Sequence, residues 1–272
     1  MPDLTPAAEL GAFAKVALLG GIYSNYLALT EALALARARG AETIVALGDF
    51  GAFGPHPDRT VEILRAAGVA AIQGNYEQSL ASGALDCHCG YTDPRDNHYA
   101  RISYDYTARN TAPDHKAWMA TLPGQARLTV GSRRVLACHG SPRKVNEFLW
   151  ASTTPEPFIR KLLRDHDADL VACTHTGLHW SRWIEEGRGV VNVGALGRPA
   201  NDGRTNVWFA MLEAEGDSVR TEFVPVPYDH ERLAREMEGE GLPDEFVQTV
   251  RTGWWTTCLE ILPARERARG RH

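Results

Sequence analysis

A chain of 272 residues that is 44% hydrophobic carries enough apolar material for one large core, near the length at which a single domain is still usual. Its 29 lysines and arginines against 34 acidic residues leave a net charge of -5, with neither sign gathered into a stripe, so a nucleic-acid polymer is not an expected partner. No stretch approaches the roughly 20 apolar residues of a membrane span, and Asp3 and Glu9 stand where a leader would carry basic residues; no membrane partner and a cytoplasmic location are expected.

In chain order, the apolar run Val16 to Leu19, closed by Gly20-Gly21, reads as a strand, and the Ala-rich segment holding Leu27, Leu29, Leu33 and Leu35 as a helix. The beat repeats: Thr43 to Leu47 as strand, Val61 to Ala67 as helix, Val69 to Ile72 as strand. Residues 74–97, rich in Gly, Asp, Asn and Cys without a sustained period, read as a long excursion. Helical segments resume from Tyr99 to Leu122, and Ala126 to Val130 with Arg134 to Cys138 predict a hairpin about Gly131-Ser132. Phe158 to Leu163 predicts a helix and Asp169 to Cys173 a strand. Strands follow at 182–184, 190–193, 207–212 and 219–226, and two amphipathic helices split by Gly241 and Pro243 lie between Tyr228 and Arg251.

This alternation predicts an α/β fold with two sheets face to face and helices outside. Residues 265–272, following Pro263, read as a solvated tail. The odd count of five cysteines fits free thiols in a reducing compartment, with Cys173 and Cys258 as small buried apolar residues.

Ligands of α/β sheets sit beyond the carboxyl ends of strands, and four polar residues stand there: Asp49 after Val45-Ala46-Leu47-Gly48, Asn75 after Ala71-Ile72-Gln73-Gly74, His139 after Val135-Leu136-Ala137-Cys138, and His175 after Val171-Ala172-Cys173-Thr174. Taken singly, each is ordinary as a cap or turn residue. Chance capping would not select a carboxylate, an amide and two imidazoles at four equivalent places, and that set is suited to a metal ion.

Gly48-Asp49, Gly74-Asn75, His139-Gly140-Ser141-Pro142 and Thr174-His175-Thr176 resemble, in order, four of the five motif blocks of the calcineurin-like metallophosphoesterases. Gly51-Ala52-Phe53-Gly54-Pro55, the Asp86-Cys87-His88-Cys89 loop, Val191-Asn192-Val193-Gly194 with Gly197-Arg198-Pro199, and Val226-Pro227-Tyr228-Asp229 are similar to a small bacterial phosphodiesterase-like branch. The resemblance covers residues 14–252. It implies a four-layer α/β/β/α sandwich of two mixed sheets flanked by helices over residues 1–226, with a C-terminal helical extension, 227–272, packed on the same domain.

The departures are concentrated. Where the family ends its first strand in Asp-x-His, this chain has Gly21-Ile22-Tyr23, and where the last block carries a second histidine it has Gly177. Three of the four protein ligands of the first metal are therefore missing, whereas those implied for the second, Asp49, Asn75, His139 and His175, are all present. The resemblance thus implies one divalent or trivalent ion, with Mn, Fe and Zn equally compatible. Asp49 and Tyr76 are the catalytic candidates, and Tyr23, His88 and Arg198, from the residues themselves, the candidate substrate contacts. Tyr23 is open to two roles, a phenolate ligand or a filler of the lost ion's volume, and filling is preferred; Tyr76 either handles a proton or phosphate or is structural. His179 is either a replacement ligand or a surface residue, and Arg198 either faces phosphate or pairs with an acid. The expected function is a metal-dependent phosphoesterase-like hydrolase acting on a small anionic phosphodiester or nucleotide. A single-metal enzyme of non-phosphate chemistry and a non-catalytic metal- or nucleotide-binding relative are the alternatives. A homo-oligomer is compatible with the exposed second sheet and the C-terminal helices.

Overall fold

Val16, Ala17, Leu18 and Leu19 are all fully buried, although their side chains alternate between two faces of one strand. A strand with no polar face must be covered on both sides. The computed structural model, which describes residues 7–269, shows how. Its first elements are β1 (Ala8–Phe13), β2 (Lys15–Leu19), α1 (Tyr26–Ala38), β3 (Thr43–Ala46), α2 (Pro57–Ala66), β4 (Ala70–Ala71), α3 (Asn75–Ser82), α4 (Pro94–Arg109) and α5 (Pro113–Thr121). Then come β5 (Gln125–Val130), β6 (Arg133–Cys138), α6 (Glu156–Asp165), β7 (Leu170–Cys173), β8 (His179–Glu185), β9 (Arg188–Val193), β10 (Val207–Glu215), β11 (Ser218–Val226), α7 (His230–Gly239), α8 (Asp244–Thr252) and α9 (Ala264–Arg267).

The strands form a five-stranded sheet, β11-β10-β2-β3-β4, and a six-stranded sheet, β1-β5-β6-β7-β9-β8, both mixed. Val16, Leu18, Val45 and Leu47 from the first meet Val135, Ala137, Leu170, Ala172, Val191 and Val193 from the second in a shared apolar layer. The opposite face of the first sheet, including Ala17, Leu19 and Ala46, packs on Leu29, Leu33, Val61 and Leu64 of α1 and α2. Beyond the second sheet, Leu136, Cys138, Val171 and Cys173 pack on Ile159, Leu162 and Leu163 of α6, a helical spacing that puts the three on one face. The result is the expected α/β/β/α layering.

Parallel pairing sets where the turns lie. β2, β3 and β4 are parallel, and so are β6, β7 and β9, so the turns that follow them gather at two sheet edges.

Four expectations need correction. The segment 74–97 is not one excursion: Asn75–Ser82 is helix α3, whose mixed polar sequence hides its start because the N-terminal amide of Gly74 is satisfied by the Glu77 carboxylate at 2.8 Å. β1 is an additional strand, half-buried at the sheet edge and therefore without an apolar run. Cys87 and Cys89 are joined in a disulfide, in a loop that reverses at His88 with φ +49°, while Cys138, Cys173 and Cys258 are free and buried. Finally, the Arg-rich end is partly ordered as α9, where buried Glu266 accepts from the amide of Ser152 at 2.8 Å and from its hydroxyl; residues 270–272 of that segment, like Asp3, lie outside the described residues.

Candidate metal centre

The turn after β3 carries Asp49 with φ +54° and the turn after β7 carries His175 with φ +67°. Left-handed backbone at non-glycine residues is costly and tends to collect at functional sites. Tyr23, Ser24, Ala52, Phe53, His88 and Cys258, all near this place in the fold, share it. Gly74 is glycine for a steric reason: a Cβ there would strike an Asp49 carboxylate oxygen and lie 2.8 Å from His139 Nδ1. Only a bare backbone lets the turn after β4 close against Asp49 and His139 and deliver Asn75 beside them.

Among the described residues, one group of metal-ligating type converges: Asp49, His139 and His175, each buried, with one ligand atom apiece all within 4.8 Å of one another. His139 Nδ1 lies 2.6 Å from the carbonyl of Leu47, which only accepts, so Nδ1 carries the hydrogen and Nε2 presents a lone pair. His175 Nε2 likewise donates to the carbonyl of Cys89 at 3.2 Å, leaving Nδ1 as the acceptor. Those two acceptors face each other at 3.0 Å, and Asp49 Oδ2 is 3.3 Å from His139 Nε2. Three converging lone pairs form a set that could hold a metal ion. Asn75, the fourth sequence candidate, has its Nδ2 engaged by the carbonyl of Cys87 at 2.9 Å, while Oδ1 is buried with no hydrogen-bond partner among the described residues.

Protons compete for the same place. Burial disfavours charge at each group, yet the attraction between His139 and Asp49 outweighs it, raising the imidazole and lowering the carboxyl; His175, buried beside His139, is driven down to about 3. Asp49 and His139 thus favour their charged forms as a pair, and His175 stays neutral.

The neighbouring half of the pocket is built differently. A Cβ on Gly21 would lie 2.5 Å from the Tyr23 ring, so that ring stands where a side chain at position 21 would begin. Gly177, at φ +73°, would put a Cβ 3.0 Å from the ring of Trp255, which reaches in from the segment after α8. Burial and the Asp49 charge push the Tyr23 hydroxyl upward, so it is a neutral phenol, in keeping with filling. Tyr23, Asp49, Tyr76, His175 and Arg198 line one cavity of about 60 Å³, with Phe53 and Cys258 among its walls. At the roughly 30 Å³ that one water takes up in the liquid, that is room for about two waters.

The other sequence candidates separate. Tyr76 is buried in this cavity, its hydroxyl 2.9 Å from Ser103 Oγ and its amide donating to Asp49 Oδ1 at 3.2 Å. His88 points elsewhere: it is an exposed residue beside Asp86 and Ser79, lining an adjacent groove. His179 stacks on Trp208 and Phe223 at 4.6 and 4.8 Å and does not join the cluster. Arg198 has no acidic partner among the described residues and packs on Trp255.

Sequence reasoning passed over Glu77. Fully buried, its carboxylate accepts from the amides of Asp49 at 2.7 Å, Phe50 at 2.9 Å and Gly74 at 2.8 Å, clamping the two ligand turns together. Burial and the nearby Asp49 push its carboxyl up to about 7 against those amides. Its position three residues after Gly74, the spacing of a capping box, was the available signal.

Residues 15–217 match the model of the calcineurin-like phosphoesterase superfamily domain. The chain is 22% identical over 242 residues to the uncharacterized protein MJ0912 of Methanocaldococcus jannaschii, covering 84% of this chain and 94% of that protein. Its fold is similar to that of hypothetical protein PH1004 from Pyrococcus horikoshii OT3, at 21% identity and a TM-score of 0.74, over 90% of this chain and all of that one (100%). A metallophosphoesterase from Sphaerobacter thermophilus is also similar, at 23% identity and a TM-score of 0.67, over 91% of this chain and 100% of its own.

Proposed function

The chain belongs to the calcineurin-like phosphoesterase superfamily, and from that premise we propose that it is a phosphoesterase that works with one metal ion, held by Asp49, Asn75, His139 and His175, on a small phosphodiester or nucleotide. The observation that carries this reading is the pair of histidine lone pairs fixed toward each other at 3.0 Å, each by a backbone carbonyl behind it, with a carboxylate beside them. A carboxylate, an amide oxygen and two imidazoles suit Mn, Fe or Zn. When bound, such an ion supplies Lewis acidity, polarising a phosphoryl oxygen and acidifying water.

The remaining work falls to the protein's own groups. Glu77 and the Leu47 and Cys89 carbonyls keep the ligands aimed. Tyr76 keeps its proton, since burial and Asp49 hold its hydroxyl well above the ordinary phenol range despite the Ser103 hydrogen bond, and it donates that hydrogen to an oxygen of the substrate. The small cavity lined by Tyr23, Asp49, Tyr76, His175 and Arg198 favours a compact reacting group.

Metal analysis of the purified protein tests the reading: close to one ion per chain is expected, and Asp49→Ala should lose it. Hydrolysis of an aryl phosphodiester with manganese should fall at least about a hundredfold in that variant. Two tightly held ions would refute the single-ion assignment, and no turnover with any divalent metal on any phosphoester would refute hydrolysis.

A further inference from the structure

Arg198 reaches the pocket through a tightly determined turn. The amides of Leu196 and Gly197 both donate to the carbonyl of Gly21 at 2.9 Å. Gly197 has no room for a side chain, because a Cβ would collide with the Ile22 carbonyl and lie 2.6 Å from the Tyr23 Cβ. The residue delivered next is therefore tied to the turn after β2, which carries Gly21 and Tyr23.

Its guanidinium is an unusual charge to bury. Arg198 is 6% exposed; Nη2 donates to the Thr257 carbonyl at 2.7 Å and lies 3.3 Å from Thr257 Oγ1, while Nε has no hydrogen-bond partner among the described residues. The charge sits 4.0 Å from the centroid of the Trp255 ring and 5.1 Å from that of Phe53. Aromatic faces offset part of its desolvation, but a buried cation ordinarily has a carboxylate, and none pairs with this one among the described residues. Asp49, in the same cavity, directs its oxygens to His139 and to the Tyr76 amide instead. A buried guanidinium with an unpaired Nε and no carboxylate, on the wall of the cavity it shares with Asp49 and His175, has the chemistry of an oxyanion receptor.

We propose that Arg198 is a fixed cation standing in for a second metal ion: its guanidinium receives an oxygen of a phosphoryl group seated between it and the Asp49, His139 and His175 cluster. The part played by the cluster rests on the single-metal reading above; the affinity of Arg198 for the anion does not. Stacked rings hold the guanidinium in place without the ligands a metal would require, which accounts for Gly21, Tyr23 and Gly177 standing where ligands are absent.

Inorganic phosphate titrated into the full chain, with and without one equivalent of manganese, tests this by calorimetry and by the fluorescence of Trp255, whose ring lies against the guanidinium. Chelator-treated wild type should bind phosphate. Arg198→Lys, which keeps charge but loses the fork, should bind about tenfold more weakly, and Arg198→Gln weaker still, with manganese uptake unchanged in both. Asp49→Ala should lose manganese yet keep metal-free phosphate binding. If wild type takes up no manganese while phosphate binding still depends on Arg198, the single-metal reading fails and the anion receptor stands. Should Arg198→Gln not fold, the lysine variant carries the test. Phosphate binding equal to wild type in a folded Arg198 variant, or no phosphate binding by wild type in either condition, overturns the proposal and leaves the arginine a packing residue.

Discussion

The two halves of the pocket are made from the same kind of place in the fold and come to opposite ends. Gly21 follows β2 and Gly177 lies just past β7, in turns of the same class as those that carry Asp49 and His175. In one half, small backbone-locked side chains leave their lone pairs converging and open. In the other, glycines are roofed by the rings of Tyr23 and Trp255 and accompanied by a buried guanidinium. The same strand ends thus carry converging ligand-type side chains in one half and aromatic rings over glycines in the other.

The sharpest way to break this contrast is to rebuild the closed half. Gly21→Asp alone should destabilise the chain by about 1–3 kcal/mol, because the new side chain must displace the Tyr23 ring. Adding Tyr23→His removes the obstruction, so the double variant should recover most of that loss in denaturant unfolding, a coupling the single variants do not show. Gly177→His brings its own cost, about 1–2 kcal/mol for a β-carbon in the left-handed region against Trp255. If the edge retains its geometry, the triple variant should hold two ions and gain on the order of tenfold in phosphodiester hydrolysis, about 1.4 kcal/mol in the barrier. Two ions bound with no gain would show that the contrast between the halves has no bearing on rate.

The open half was legible in the sequence because each ligand directly ends an apolar run, and strand ends are where a sheet presents its ligands. The layering was legible for a similar reason, since β2, β3, β6 and β7 are apolar on both faces. The closed half was only half legible. Missing ligands could be counted at Gly21, Tyr23 and Gly177, but nothing local says that Trp255, 78 positions beyond Gly177, covers the gap, or that Thr257 anchors Arg198. Such contacts arise from packing between segments distant in the chain. The half-buried β1 and the polar α3 escaped because periodicity reports burial, and both are weakly patterned. The Cys87–Cys89 pairing depends on the reversal at His88, which a Cys-x-Cys spacing does not specify.

Hydrogen bonds to that disulfide loop reach the open half. Asn75 Nδ2 donates to the Cys87 carbonyl at 2.9 Å and lies 3.4 Å from Cys89 Sγ, and His175 Nε2 donates to the Cys89 carbonyl. Two of the four candidate ligands are thus hydrogen-bonded to the bridged loop. Reduction, or the Cys87→Ser/Cys89→Ser variant, should weaken manganese binding by about tenfold, as loss of groups behind a ligand commonly does, while Arg198-dependent phosphate binding stays unchanged. Equal losses in both would show that the loop supports the whole pocket and that the halves are not independent.

The smallest effect expected comes from a charge outside the site, and it marks where the contrast should stop. Asp169 precedes β7 at the strand end opposite His175 and accepts from the Arg134 amide at 3.0 Å and from Arg134 Nε at 3.1 Å. Burial works to raise its carboxyl, but these hydrogen bonds and the Arg134 charge outweigh it and hold the group below the usual carboxylate range. A carboxyl lowered by folding stabilises the native state above its unfolded pKa, and that contribution disappears as pH falls through the lowered folded value. Asp169→Asn should therefore cost about 1–2 kcal/mol at neutral pH and make the acid limb of the unfolding curve less steep. Metal content and phosphate affinity should remain at wild-type values, since neither half of the pocket touches this end of the strand; a change in either would mean that the opposite strand end tunes the site through β7.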